Sequence, residues 1–226
     1  MSQAGGCDYQ NPPILSECER MEKPVFTIGH SIHPQERFIA LLRQHGITAL
    51  CDVRSKPYSR MNPQFNRDEL EKVLVEQGIA YRFLGKELGA RSDDPLCYEG
   101  GKVQYGRLAQ TDLFNHGLTR VRRGMREGLR IALMCAEKEP LECHRTILVA
   151  RHLAALGVPV AHILADGRLE SHDAVLSRLA RMVNLPEHDM FHSREELLAD
   201  AYRRQGERIA YEVAEPADTT MKGAAG

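Results

Sequence analysis

The feature that most constrains this chain is an alternation. Short apolar runs of buried-strand type, at residues 25–29, 47–53, 79–84, 129–134 and 158–164, recur between longer segments whose apolar residues fall at helical spacing. The helical segments cover residues 34–45, 67–77, 106–126, 146–156 and 173–183, with Pro34 a suitable first-turn residue and Gly46 a break before the second strand. A strand that feeds a helix and then another strand in the same sheet returns parallel to the first, by a right-handed crossover. The expected fold is therefore α/β, a three-layer sandwich with a mostly parallel central sheet of about five strands and helices on both faces, spanning residues 24–185. Pro159 has no N–H to give to a ladder, which hints at an edge position for the fifth strand.

The rest of the chain flanks or interrupts this pattern. Residues 1–23 mix Gly, Pro, Ser and Glu without periodicity and read as a poorly ordered extension, in which Cys7 and Cys18 match no metal-binding spacing. Residues 85–105 read as a polar insertion folded over one end of the sheet, and residues 186–226 as a polar tail with one helix near 193–210. No internal repeat is present, and the residues carry no signal of oligomeric state.

Composition matters here for what it excludes. With 30 Lys and Arg against 31 Asp and Glu, the net charge of −1 rules out a globally basic nucleic-acid binder, so any anion site must be local. Six cysteines without a secretory leader predict reduced thiols in the cytoplasm rather than a disulfide framework. No run approaches the roughly 18 apolar residues of a membrane span, so no membrane partner is expected.

Chemistry-bearing residues concentrate where strands end. His30 and Ser31 follow the first strand, Asp52 and Arg54 end the second, and Cys135 and Glu137 follow the fourth. Cys143, His144 and Arg145 open the next helix. Strand carboxyl ends share one edge of a parallel sheet, and ligands bind in the crevice outside it. Arg54, Arg60, Arg91 and Arg145 bring guanidinium groups towards that edge, a donor set suited to phosphate or carboxylate. Tyr58, Phe65 and Tyr98 lie in nearby loops and could stack on bases.

These motifs resemble a widespread bacterial and archaeal family known only as domain of unknown function four-eight-eight. The resemblance rests on Thr27-Ile-Gly-His-Ser31, on Asp52-Val-Arg-Ser-Lys-Pro57 with Ser59, Arg60 and residues 63–66, on Phe83-Leu-Gly-Lys-Glu-Leu-Gly89 with Arg91, and on Cys135-Ala-Glu137 with Cys143-His-Arg145. It implies an α/β fold and no particular reaction, so the chemistry has to come from the residues.

The residues allow several readings. Cys143, at a helix start beside Arg145, is a candidate nucleophile, with His30 the better-placed base because neighbours such as Cys143 and His144 seldom point at each other. Cys135, Cys143 and either His30 or His144 could hold a transition metal, with Glu137 or water as fourth ligand, although seven residues between the cysteines is looser than zinc-knuckle spacing. Asp52 and Glu137 could serve as acid and base or hold a divalent ion. Plain packing of the two thiols and an internal Asp52–Arg54 pair are the competing structural readings. His152 and His162 read as filler, and His172, His188 and His192 as too scattered for a metal cluster. The leading expectation is an enzyme, a hydrolase or transferase with a Cys or His/carboxylate centre. It would act on a phosphate-bearing nucleotide or nucleic acid held by Ser31, Arg54, Arg60, Arg91 and Arg145. The alternatives are a non-catalytic module binding the same anionic partners, and a metalloprotein.

Overall fold

Val25–Gly29 forms β1, and every residue of it is buried, as befits the middle of a parallel sheet covered on both faces. The computed structural model describes residues 23–185 and 191–213, so the expected N-terminal extension with Cys7 and Cys18 lies outside the described residues. The first half of the fold continues with α1 (Gln35–Gln44), β2 (Ala49–Asp52), α2 (Arg67–Glu76), β3 (Ala80–Phe83) and the short α3 (Gly85–Leu88). A small hairpin, β4 (Tyr98–Glu99) and β5 (Lys102–Val103), then precedes α4 (Tyr105–Leu108) and α5 (Asp112–Arg126). β6 (Ile131–Cys135) leads to a π-helical stretch, Arg145–Ala150, which runs directly into α6 (Arg151–Ala155). β7 (Val160–Ile163), β8 (Leu169–Ser171), α7 (His172–Met182) and α8 (Arg194–Ile209) complete the described chain.

The sheet order is β3-β2-β6-β1-β7-β8, with five parallel strands and β8 antiparallel to β7. The three-layer expectation holds, with one strand more than the sequence suggested. β8 is only three residues long and two of them are exposed, so no apolar run announces it. It makes β8, not β7, the edge, and Pro159 is accommodated because its carbonyl, not its missing N–H, meets Val25 N at 2.9 Å.

Alternation along the strands separates the core into two faces. Phe26, Ile28, Leu50, Ala132 and Met134 pack under Phe38, Leu41 and Leu42 of α1 and Leu70 and Leu74 of α2. Val25, Ala49, Cys51, Leu133 and Cys135 face the other way, against α5, the π-helical stretch and α6. The handedness rule explains this division: the chain moves from β1 towards β3 in one direction and from β3 to β7 in the other, so right-handed crossovers fall on opposite faces.

The expected helix over residues 106–126 is broken. Thr111 caps a new helix by accepting from Phe114 N at 3.2 Å, separating α4 from α5. Gly117 is where α5 meets α3, and a Cβ there would lie 2.7 Å from Leu88 Cδ2 and from Glu87 Cβ. The helix of the polar tail is docked on the body. α8 opens on a capping box between Ser193 and Glu196. It buries Ala201, Tyr202, Gln205 and Gly206, and Gln205 Nε2 donates to Leu141 O at 2.6 Å. No described helix is long and apolar enough to cross a membrane.

Candidate functional site at the carboxyl edge of the sheet

β1 and β6 are adjacent, and the helical segments that follow them depart to opposite faces of the sheet. Strands that diverge in this way open a crevice outside their carboxyl ends. β2 flanks β6 on its other side, so the segments after β1, β2 and β6 all meet at that edge. The ladder continues past the strands, with His30 N donating to Cys135 O and Ser31 N to Ala136 O, both at 2.9 Å. Gly29 makes this approach feasible, since a Cβ there would sit 1.9 Å from Glu137 O. Ser31 adopts φ 48°, a left-handed turn rare for a residue with a side chain.

Two clusters fill the edge. The first is built on Asp52, which is fully buried and accepts four hydrogen bonds. Arg54 gives three, from its backbone N (3.0 Å) and Nε (2.9 Å) to Oδ1 and from Nη2 (2.6 Å) to Oδ2, and the Tyr81 hydroxyl gives the fourth at 2.8 Å. Arg54 Nη2 also donates to Phe65 O at 2.8 Å, and Nη1 donates to His30 Nε2 at 3.1 Å. Burial works against the Arg54 charge, but the bonds and charge of Asp52 outweigh it and raise its pKa.

His30 completes this cluster. Its Nδ1 lies 2.9 Å from the Ser31 carbonyl. A carbonyl only accepts, so Nδ1 carries the proton and Nε2 receives Arg54. The ring stacks on Phe65 with centroids 4.4 Å apart. Burial, aided by the charge of Arg54, brings the imidazole down to about 4, so it is neutral at pH 7.

The second cluster is Cys135, Cys143 and His144, all buried, whose Sγ and ring nitrogen atoms lie within 4.8 Å of one another. His144 Nδ1 is 3.6 Å from Cys135 Sγ and 3.9 Å from Cys143 Sγ. Its Nε2 meets the Val53 carbonyl at 2.9 Å, so Nε2 is the protonated nitrogen and, in the neutral ring, the Nδ1 lone pair faces both sulfurs. Arg145 lies alongside, completely buried. Its Nη1 donates to Glu137 O at 2.6 Å and Nη2 to Lys138 O at 3.2 Å, while its Nε finds no partner among the described residues.

The two thiols are unequal. Burial alone would raise Cys143, yet the hydrogen bond from Cys135 and the Arg145 charge hold it well below the ordinary thiol range. Cys135 is raised well above that range by its hydrogen bond to Cys143 and by burial. The opposite directions of the two shifts make Cys143 the more acidic thiol of the pair.

Several expectations are corrected by this geometry. The residue facing Cys143 is His144, not His30. Cys143 is extended at φ −137°, ψ 138° and His144 turns into the helix at φ −59°, ψ −26°, which brings their side chains together. Glu137 is exposed and is not among the clustered donors. It contributes its backbone carbonyl, while burial and the nearby Cys143 charge raise its carboxyl pKa. It therefore forms no acid–base pair with Asp52, whose carboxylate is engaged by Arg54 and Tyr81. The guanidinium groups do not form a common cradle: Arg54 serves Asp52, Arg145 serves two carbonyls, Arg91 stacks on Tyr211 at 3.8 Å, and only Arg60 is exposed. Phe65 is buried against His30 and Phe38 rather than offered to a base.

The sequence reading also missed a buried chain. Thr27 Oγ1 meets His162 Nδ1 at 2.9 Å, His162 Nε2 meets His172 Nδ1 at 3.0 Å, and His172 Nε2 meets the Tyr202 hydroxyl at 3.0 Å. It ties β1 and β7 to α7 and α8. The available signal was position, since residues 160 and 162 of β7 share the face that carries Thr27 on β1.

The fold and site together define the class: a three-layer α/β protein with a thiol–imidazole cluster at the carboxyl edge of its sheet. The chain belongs to the family described as Domain of unknown function DUF488, whose model matches residues 34–152. Searches of curated proteins and of solved structures return no significant match.

Proposed function

We propose that Cys135, Cys143 and His144 form a binding centre for a transition metal of the zinc class, with a fourth position left for water or a substrate atom. The observation that carries this reading is the spacing of the donors. Tetrahedral coordination with metal–sulfur bonds of about 2.3 Å and metal–nitrogen bonds of about 2.0–2.1 Å implies sulfur–nitrogen edges of about 3.6 Å. The two edges here are 3.6 and 3.9 Å. The His144 Nε2 bond to Val53 O supports it further, because a metal-binding imidazole ordinarily gives its other N–H to such an acceptor. A bound ion of this class supplies Lewis acidity.

Elemental analysis of protein purified without chelators tests the reading. About one equivalent of metal is expected, reduced to background in Cys143→Ser, and less than about a tenth of an equivalent in the parent protein overturns it.

One observation favours a second reading, in which Cys143 is a nucleophile. Arg145 is a buried cation with no carboxylate partner among the described residues, and a single thiolate balances its charge. Under that reading metal-free protein alkylates at Cys143 with a midpoint below the ordinary cysteine pKa of about 8.5. For the broader expectation of an enzyme acting on a phosphate-bearing nucleotide or nucleic acid, the support is the cluster's place at the carboxyl edge. The engaged guanidinium groups of Arg54, Arg91 and Arg145 add none.

A further inference from the structure

A cavity of about 490 Å³ lies between α4, the π-helical stretch, α6 and α8. That volume is in the range of small-molecule sites, which are largely apolar with a few convergent polar groups. Here Ala109 provides apolar wall, with the buried Ile147 and Leu148 lining the floor, and Arg151, Tyr105 and Tyr202 provide the polar groups.

Arg151 stands out among them. It is half-buried, its guanidinium lies 4.5 Å over the Tyr202 ring, and among the described residues it makes no hydrogen bond and no ion pair. Burial depresses its pKa, yet guanidinium stays protonated at any physiological pH, so the charge persists. The other charges at the cavity cancel. Arg203 Nη1 binds Glu207 Oε1 at 2.9 Å and its Nη2 binds Asp200. His152 sits 2.7 Å from Leu148 O through Nδ1, and burial lowers its pKa, so it is neutral at pH 7. The Tyr105 hydroxyl likewise has no hydrogen-bond partner among the described residues. What is left is a semi-enclosed space with one uncompensated cation and one idle hydroxyl donor.

We infer that this cavity binds a small organic anion, with its carboxylate or phosphate group on Arg151 and the Tyr105 hydroxyl and its apolar body against the wall at Ala109. A fixed guanidinium with free N–H groups pairs strongly with such oxygens, and the partly dry surroundings strengthen the bond. The inference stands apart from the metal centre. Tyr105 is nevertheless shared ground: its phenol is raised by burial and by the nearby Cys143 and Cys135, so the cavity wall lies within electrostatic reach of the thiols.

Calorimetric titration of the full chain with benzoate, phenyl phosphate and inorganic phosphate tests this and separates the two acid groups. Either aromatic anion should bind with a Kd below about 10 mM and more tightly than inorganic phosphate, since only the aromatic anions use the apolar wall. Arg151→Gln should weaken binding about tenfold or more, the loss of a charge-assisted bond, and Arg151→Lys should recover part of it. Gly106→Leu supplies an independent block, because a Cβ at this cavity-lining position meets no atom within 4 Å and the fold has no reason to suffer. His144→Ala should leave the affinity within about twofold, which keeps an anion held by a metal distinct from one held by Arg151. Absence of binding by both aromatic anions, or binding unchanged in Arg151→Gln and Gly106→Leu, would overturn the proposal. So would loss in His144→Ala alone.

Discussion

Two polar clusters sit side by side at the carboxyl edge of the sheet, and they differ in how their hydrogen-bonding capacity is used. Around Asp52, donors and acceptors match: Arg54 and Tyr81 fill the carboxylate, Phe65 O takes a further Arg54 hydrogen, and His30 offers Arg54 the one lone pair it has. Around His144, lone pairs and thiols converge on one point from three sides while Arg145 Nε is left over. A buried polar group that is fully paired rigidifies the fold, whereas one that is underused costs stability and is retained where something else binds. The contrast fits an architectural role for the Asp52 cluster and the proposed metal centre for the His144 cluster, a division that residue types alone do not make.

The contrast can be broken experimentally. The largest expected effect is from Asp52→Ala, which strands a buried guanidinium and should cost about 3–5 kcal/mol in urea unfolding. A loss below about 1 kcal/mol would remove the architectural assignment. Next, His144→Ala should weaken zinc binding beyond the roughly 10–100-fold that follows loss of a residue merely supporting a ligand, as measured by chelator competition. Tyr81→Phe, in the other cluster, should leave that affinity unchanged.

A third, smaller effect is in pH dependence. His30, brought down to about 4, and His162 and His172, both lowered chiefly by burial, are neutral in the fold and bind protons more readily once it opens. The unfolded chain then holds more protons from about pH 6.5 downward, so stability falls as pH drops from there towards 4. Unfolding free energies at pH 7, 6, 5 and 4 should show that decline, and His172→Gln should make it shallower. The smallest expected effect is Arg60→Ala, within about 0.5 kcal/mol in stability and without influence on metal content, as suits an exposed side chain with no partner among the described residues.

The strand–helix alternation was enough to read the five parallel strands and the meeting of three motif segments at one edge. It could not reveal β8, which is three residues long, nor the break before α5, which depends on the Thr111 cap. Within the site, backbone-set placement was readable and side-chain partnership was not. Arginine is long enough to reach several acceptors, so whether Arg54 faces a ligand or Asp52 two residues earlier is decided by tertiary packing. The same holds for His162, an ordinary strand residue until α7 and α8 bring His172 and Tyr202 to it. The preference for His30 as partner to Cys143 failed for a local reason, the extended-to-helical step between residues 143 and 144.

The π-helical stretch at Arg145–Ala150 carries one consequence of its own. Its six residues are all buried and start immediately after His144. A π turn is an α-helix holding one residue too many, and each residue of an α-helix advances the chain by about 100°. Deleting a single residue from 145–150 would therefore relax the stretch into an ordinary helix with its two flanks nearly in phase, because the turn gives up only the residue it held in excess. Such a shortened chain should keep its helical content, its core on the α1 and α2 face and the approach of Cys143 and His144 to Cys135, whereas a deletion from α5, a regular α-helix, should turn its flanks by about 100°. The extra residue acts as slack: the helix can give it up without turning the site.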